Sequence, residues 1–138
     1  MQVQKRDGQL EDLNIDKLHK VVMYAVEGIT GVSASEVEIN SHIQFFDKIT
    51  STDIQETLIK SAADLISEES PNYQYVGGRL INYHLRKEVY GTFTPPCLCD
   101  IIDKNIEIGF YDAEFTELYT KDEINQLQEY IDLSLIHI

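Results

Sequence analysis

The chain opens on short alternating runs and then changes to a helical rhythm. Val3-Gln-Lys-Arg6 leads into Asp7-Gly8 and out through Gln9-Leu-Glu-Asp-Leu13. Asp-Gly between two such runs predicts a β-hairpin, with glycine taking the positive φ of a tight primed turn. Next, Leu18, Val21, Val22, Ala25, Val26 and Ile29 fall at i, i+3, i+4, i+7, i+8 and i+11, one continuous apolar face. Asn14 or Asp16 can cap that helix, and Gly28 to Gly31 weaken its end. A second helix is expected from Ser35 to Phe46, with capping boxes available at Ser33–Glu36 and Ser35–Glu38. Ile54, Leu58, Ala62 and Leu65 mark a third, with another box at Thr52–Gln55. The fourth starts at Ser70-Pro71, a cap residue followed by proline at the first helical position. It runs through Tyr73, Val76, Leu80 and Tyr83 to Tyr90, where Gly91 can end it. Gly77-Gly78 lies inside it and should weaken it by roughly 1 kcal/mol per glycine relative to alanine.

Thr94-Pro95-Pro96 then interrupts the chain. Beyond it, Leu98 to Ile108 and Lys121 to Ile131 read as two more helices, joined through Gly109-Phe-Tyr-Asp-Ala113. The expected architecture is mainly α: a β-hairpin capping a four-helix bundle over residues 1–91, a linker at 92–96, and the start of a further helical segment at 97–138. The tail Leu133-Ser-Leu-Ile-His-Ile138 is apolar and uncapped, and reads as a truncation whose last residues need not be native.

Composition narrows the function. With 43% hydrophobic residues in 138, a real core is available and global disorder is excluded. No apolar run approaches the roughly 20 residues of a membrane-spanning helix, and no apolar stretch follows Lys5-Arg6 as it would in a secretory signal. Cys97 and Cys99 are too close together to bridge comfortably, and too few for a structural zinc. A reducing cytoplasm fits. The net charge of −13 speaks against general nucleic-acid binding. The charge is also uneven. Residues 1–91 hold 14 acids and 9 bases, residues 92–138 hold 10 acids and 2 bases. An anionic ligand therefore belongs to the first part.

The hairpin and first helix bring together the most suggestive set: Lys5, Arg6, Glu11, Asn14 and Lys17. Lys5 and Arg6 are charged donors suited to phosphate oxygens. A helix N-terminus beside them adds unpaired N–H groups and a favourable dipole. Glu11 could accept from the exocyclic amine of adenine, and Asn14 could both give and take. On local pattern alone the simpler reading is a solvated hairpin, because no glycine-rich phosphate loop is present. Arg86-Lys87 after Tyr83-His84 reads as a charged face with a satisfied histidine. His19 and His42 have no partner at metal-ligand spacing, Cys97-Leu-Cys99 matches no redox motif, and no catalytic set is evident.

The order of segments is more specific than any one of them. Val3-Gln-Lys-Arg-Asp-Gly8, Asn14-Ile-Asp-Lys17, Asp53-Ile-Gln-Glu-Thr57, Ile59-Lys-Ser-Ala-Ala63, Pro71-Asn-Tyr-Gln-Tyr75, Arg79-Leu80, His84-Leu-Arg-Lys87, Tyr90-Gly91 and Pro95-Pro96 stand in series along the chain. Together they resemble the ATP-cone of the large subunit of aerobic ribonucleotide reductases, closely over residues 3–96 and more loosely to Asp132. The Tyr90-Gly-Thr-Phe-Thr-Pro-Pro96 exit is similar to that of the diphosphate-using enzymes. The resemblance overturns the preference for a bare hairpin. It implies that Lys5, Arg6, Lys17 and Lys87 surround a triphosphate and that Glu11 and Asn14 recognise adenine. It also implies that Leu13, Leu18, Phe45 and Tyr83 line the base and sugar. Ser51 stands where the family has threonine. Gln55 replaces a frequent histidine, and Gly77-Gly78 replaces a small alanine pair. The implied effector is ATP or dATP with magnesium. The implied partners are the remainder of the large subunit and the reductase small subunit, with no nucleic acid and no membrane. The segment would regulate allosterically and supply no catalytic residue and no metal ligand of its own. The competing reading is an acidic, all-helical interaction module without a nucleotide site.

Overall fold

The computed structural model describes residues 1–131, and the tail expected to mark a truncation lies outside them. The chain divides into two compact units, Met1–His84 and a second beginning at Leu85. Three short strands, β1 (Gln2–Gln4), β2 (Leu10–Asp12) and β3 (Ile49–Thr50), form a sheet of order β2-β1-β3. Around it lie α1 (Ile15–Val26), α2 (Ala34–His42) and α3 (Ser51–Asp64), with α4 (Tyr73–Tyr90) crossing the boundary between the units. The second unit adds α5 (Leu98–Glu107), α6 (Glu114–Leu118) and α7 (Lys121–Tyr130). The fold is mainly α with a small amino-terminal sheet, as the hydrophobic pattern predicts.

The hairpin forms, but not through a primed turn. β1 and β2 pair antiparallel with Val3 opposite Glu11. The Gly8 N–H donates to Lys5 C=O at 2.9 Å, and the Lys5 N–H to Gln9 C=O at 2.8 Å. Only Gly8 in this loop has positive φ, +84°. A primed turn of type I′ would require Asp7 to be left-handed as well. The connection is instead a three-residue loop with glycine at its bulge, and the Asp7 side chain accepts from the Gln9 N–H at 3.0 Å.

β3 has no counterpart among the elements that the hydrophobic pattern predicts. It pairs parallel to β1, Val3 with Ile49 and Gln4 with Thr50. Asp47 Oδ1 accepts from the Gln2 N–H and Gln2 C=O from the Lys48 N–H, both at 2.8 Å, which draws the end of the α2–β3 connection onto β1.

The helix starts differ in how they are satisfied. Asn14 caps α1, its Oδ1 accepting from the Lys17 N–H at 2.9 Å. The second helix is shorter than expected, ending at His42, and Ser33 makes no side-chain cap. Its capping box is replaced by Tyr73, whose hydroxyl accepts from the Ser33 N–H at 2.9 Å and donates to the Glu36 carboxylate. α3 begins earlier than the Thr52 box implies, with Thr50 as the cap and Asp53 N–H as its donor at 3.0 Å. The last turn of α1 is closed by Arg79, whose Nη1 donates to the carbonyls of Ala25 at 3.2 Å and Glu27 at 2.6 Å. Charge at a helix C-terminus is favourable in this sense.

The core of the first unit joins every element but β2: Val3 and Ile49 from the sheet, Leu18, Val22 and Ala25 from α1, Val37 from α2, Ile54, Leu58 and Ala62 from α3, and Tyr73, Val76 and Leu80 from α4. A Cβ built on Gly77 would lie 4.0 Å from the Ala62 Cβ, ordinary van der Waals contact, so α4 faces α3 here with room for a methyl group. The second unit has a smaller core of Cys99, Ile102 and Ile124. Cys97 caps α5 and Cys99 sits buried in its first turn, its thiol 3.1 Å from Asn125 Oδ1. α6 has no counterpart among the predicted helices, and its Phe115 ring lies between those of Tyr111, ahead of the helix, and Tyr119, its C-cap.

Candidate functional site

The sheet has one buried and one exposed face. Residues directly paired across a ladder project to the same side, and alternate residues share a face. Val3 and Ile49 are buried, so Glu11, opposite Val3, shares their face, and Leu13 comes two residues on. Lys5 continues the alternation from Val3. The parallel register ends at Gln4–Thr50, and α3 begins with the next residue, Ser51. Gln2, Gln4, Leu10 and Asp12 point outward and are exposed. The inner face is thus apolar at its centre and polar at the loop end, where α3 begins.

Lys5 and Glu11 form an ion pair of 2.7 Å, each side chain partly open to solvent. The hydrogen bond from Lys5, helped by the positive charges of Lys5 and Lys17, holds the Glu11 carboxyl below its usual range. The same bond and the Glu11 charge raise the Lys5 ammonium above its own. Lys17 is therefore in electrostatic reach of the pair, and its backbone N–H is fastened to Asn14. Because Asn14 uses Oδ1 for the cap, its Nδ2 group is the part suited to meet a ligand. Lys5, Glu11, Asn14 and Lys17 are brought together by the hairpin register and the start of α1.

The remaining candidates are more dispersed. Leu13 and Phe45 are half-buried against the core and Leu18 is within it. The Phe45 ring packs 5.3 Å from that of His42. Gln55 is one turn beyond Ser51 on α3, and its Oε1 lies 3.0 Å from Nδ1 of His84. Tyr83 meets the Tyr24 ring edge-on at 5.0 Å. Arg6 is exposed in the hairpin loop. Lys87 belongs to the second unit, with its ammonium 5.1 Å from the Phe93 ring centre. His84, read from the sequence as a satisfied histidine, finds its partner in Gln55, 29 residues earlier, which no local spacing reveals.

Comparison with known proteins decides the family. The model of the ATP cone domain matches residues 1–88. The chain belongs to the ATP-cone family. Among curated relatives, this cone protein is 52% identical over 130 residues to ribonucleoside-diphosphate reductase 1 subunit alpha of Escherichia coli (strain K12), covering 94% of this chain and 17% of that protein. The subunit alpha of Haemophilus influenzae is 48% identical over 132 residues, covering 96% of this chain and 18% of the relative. That of Helicobacter pylori (strain 26695) is 45% identical over 89 residues, 64% of this chain and 11% of the relative. The chain thus spans less than a fifth of the length of these relatives. No helix among the described residues of this cone protein is long and apolar enough to cross a membrane.

Proposed function

We propose that the chain is the allosteric effector-binding region of a ribonucleoside-diphosphate reductase large subunit, taking ATP or dATP. The observation that carries this is the cluster of Lys5, Glu11 and Lys17 beside the amino-terminal end of α1, within a chain of the ATP-cone family. Two ammonium groups and a helix N-terminus suit an anionic triphosphate. A carboxylate held in its charged form suits the exocyclic amine of adenine. Ser51 and Gln55 supply further polar groups along α3, Leu13, Leu18, Phe45 and Tyr83 an apolar lining, and Arg6 and Lys87 additional positive charge. Magnesium in this reading travels on the triphosphate oxygens, which are hard ligands of the kind it prefers.

Two ligands at one site regulate only if each stabilises a different state of the whole enzyme. That needs a coupling free energy, typically about 1–3 kcal/mol. The states would be arrangements of the large subunit with itself and with the reductase small subunit, in the cytoplasm. The reaction, reduction of ribonucleotides to the deoxyribonucleotides that DNA synthesis consumes, would proceed on residues outside this chain.

An interaction module without a nucleotide site is favoured by one observation: Ile15 and Met23 on α1, and Ile39, Ile43 and Phe46 on and after α2, are all exposed. Titration calorimetry of the chain with magnesium-ATP and magnesium-dATP separates the readings. Saturable binding of one nucleotide per chain is expected. Heat no greater than dilution for both would favour the module.

A further inference from the structure

Gln55 and His84 join α3 to α4 through a bond whose direction is informative. The acceptor is Gln55 Oε1, and His84 Nδ1 lies 3.0 Å from it. An amide oxygen has no proton to give, so the bond requires the proton on His84 Nδ1. It also engages the acceptor end of the amide. What Gln55 has left to offer a ligand is its Nε2 group, two donors and no acceptor. Gln55 is half-buried one helical turn into α3, whose cap Thr50 pairs with Gln4 of β1. The start of α3, next to the sheet, therefore presents the Ser51 hydroxyl and then an oriented amide donor.

We infer that His84 is a positioning residue for the effector site: by occupying Oε1 it turns the Gln55 amide so that this position reads an oxygen acceptor on the ligand. The inference rests on the proposed function, since it concerns the same site. Two ligand groups share the required chemistry, the 2′-oxygen of the ribose and the phosphate oxygens. A free glutamine could reverse its amide and accommodate a donor equally well. One held by His84 does so only if the imidazole also moves its proton from Nδ1 to Nε2, and a polar group left unpaired is what makes such a site selective.

The test has two parts, both on the 138-residue chain. The first needs no ligand and no variant. Nitrogen-15 NMR of the imidazoles should find His84 protonated at Nδ1, and a neutral ring protonated only at Nε2 would overturn the inference. The second is a double-mutant cycle of His84→Leu and Gln55→Ala, read by calorimetry with the magnesium complexes of ATP, dATP and tripolyphosphate, with His84→Asn as the variant that keeps a donor at the Nδ1 position. His84→Leu should weaken ATP by roughly three- to tenfold, the worth of one hydrogen bond, when Gln55 is present. It should have no effect when Gln55 is alanine, and His84→Asn should recover most of the loss. A merely structural histidine would produce the same loss in both backgrounds. Coupling seen with all three ligands assigns the acceptor to phosphate, and coupling seen with ATP alone assigns it to the 2′-oxygen. ATP binding without coupling overturns this inference and leaves the proposed function standing. No ATP binding by the unaltered chain overturns both.

Discussion

The hydroxyl of Tyr73 donates to the Glu36 carboxylate, 37 residues earlier in the chain, while accepting from the Ser33 N–H at 2.9 Å. A phenol on α4 thus stands between the two groups that would otherwise meet directly in a capping box at the start of α2. Tyr73 is almost fully buried, so its removal leaves a backbone donor at a helix start without its partner. Tyr73→Phe should cost about 1–3 kcal/mol, the range for leaving a buried group unsatisfied. Denaturant unfolding of the variant and the parent checks this, and equal midpoints at equal slope would remove Tyr73 from the cap. Burial, reinforced by the Glu36 bond, raises the Tyr73 phenol above its usual value of 10.0. A group whose folded value is raised contributes fully below the unfolded value and is lost as pH climbs through the folded one. Stability should therefore fall above about pH 10 through this group, and Tyr73→Phe should lack that component of the alkaline loss.

Gly77 and Gly78 have helical backbones and neither shows positive φ. An added Cβ at Gly77 would meet Ala62 at 4.0 Å, ordinary van der Waals contact, and at Gly78 nothing within that distance. Alanine at either position should raise stability by about 0.4–1 kcal/mol, chiefly by restricting the unfolded chain. Thermal melts of the two single variants and the pair provide the measurement. A lower melting temperature for Gly78→Ala would contradict the account, because nothing in the fold opposes that methyl.

What could be read in advance depended on how local the cause was. The α1 cap at Asn14, the apolar face of α1 and the hairpin all arise from residues a few positions apart, and all were legible. Ile49-Thr50 was not, because two residues carry no periodicity and their pairing with Val3 and Gln4 is made across two helices. The cap of α2 at Ser33 was legible, but not the group that completes it, for a related reason. Ser33 and Glu36 have the spacing of a capping box, but the group that satisfies them comes from Tyr73. At the candidate site, Lys5, Glu11, Asn14 and Lys17 were legible from the hairpin and the family series. That α3 begins next to the sheet, with its cap Thr50 paired to Gln4, emerged only from the parallel register. The bond from His84 to Gln55 had no signal beyond the histidine itself.

The charge set at the site has a direct test. Lys5→Ala should weaken ATP by about 1–3 kcal/mol, the worth of a charge-assisted hydrogen bond to phosphate, and Lys87→Ala should do the same if it belongs to the same site. Calorimetry on the two single variants is sufficient. Unchanged affinity in both would mean that the assigned phosphate site is wrong. Loss in Lys5→Ala alone would confine the site to the first unit.

Residues 97–131 should exchange amide protons faster than the first unit. Their core rests on Cys99, Ile102 and Ile124, against twelve buried residues spread over six elements in the first unit. Opening free energies track buried apolar contact, so the smaller core should open first. Hydrogen exchange measured by mass spectrometry resolves the two sides of Pro95-Pro96. Equal protection on both sides would argue against treating residues 1–91 as a separately folding region.

Gln55 offers the most specific prediction about regulation. ATP and dATP differ by one 2′-hydroxyl, and a site separates them only if its polar groups are satisfied by that hydroxyl or left unpaired without it. Glutamine has no titratable proton, and with Oε1 engaged by His84 its remaining contact is worth about one hydrogen bond, no more than roughly tenfold. The affinities of this chain for ATP and dATP should therefore lie within about tenfold of each other, or roughly 1.4 kcal/mol. Gln55 itself should add no pH dependence between about pH 6 and 8. Gln55→His exchanges the amide for a ring that can donate or accept according to its tautomer, and it removes the Oε1 that His84 engages. The variant should widen the gap between the two nucleotides and make it pH-dependent. Affinities for both, measured on both proteins at two pH values, decide the matter. A preference for dATP well above tenfold in the unaltered chain, unmoved by the histidine, would place the discrimination elsewhere in the site.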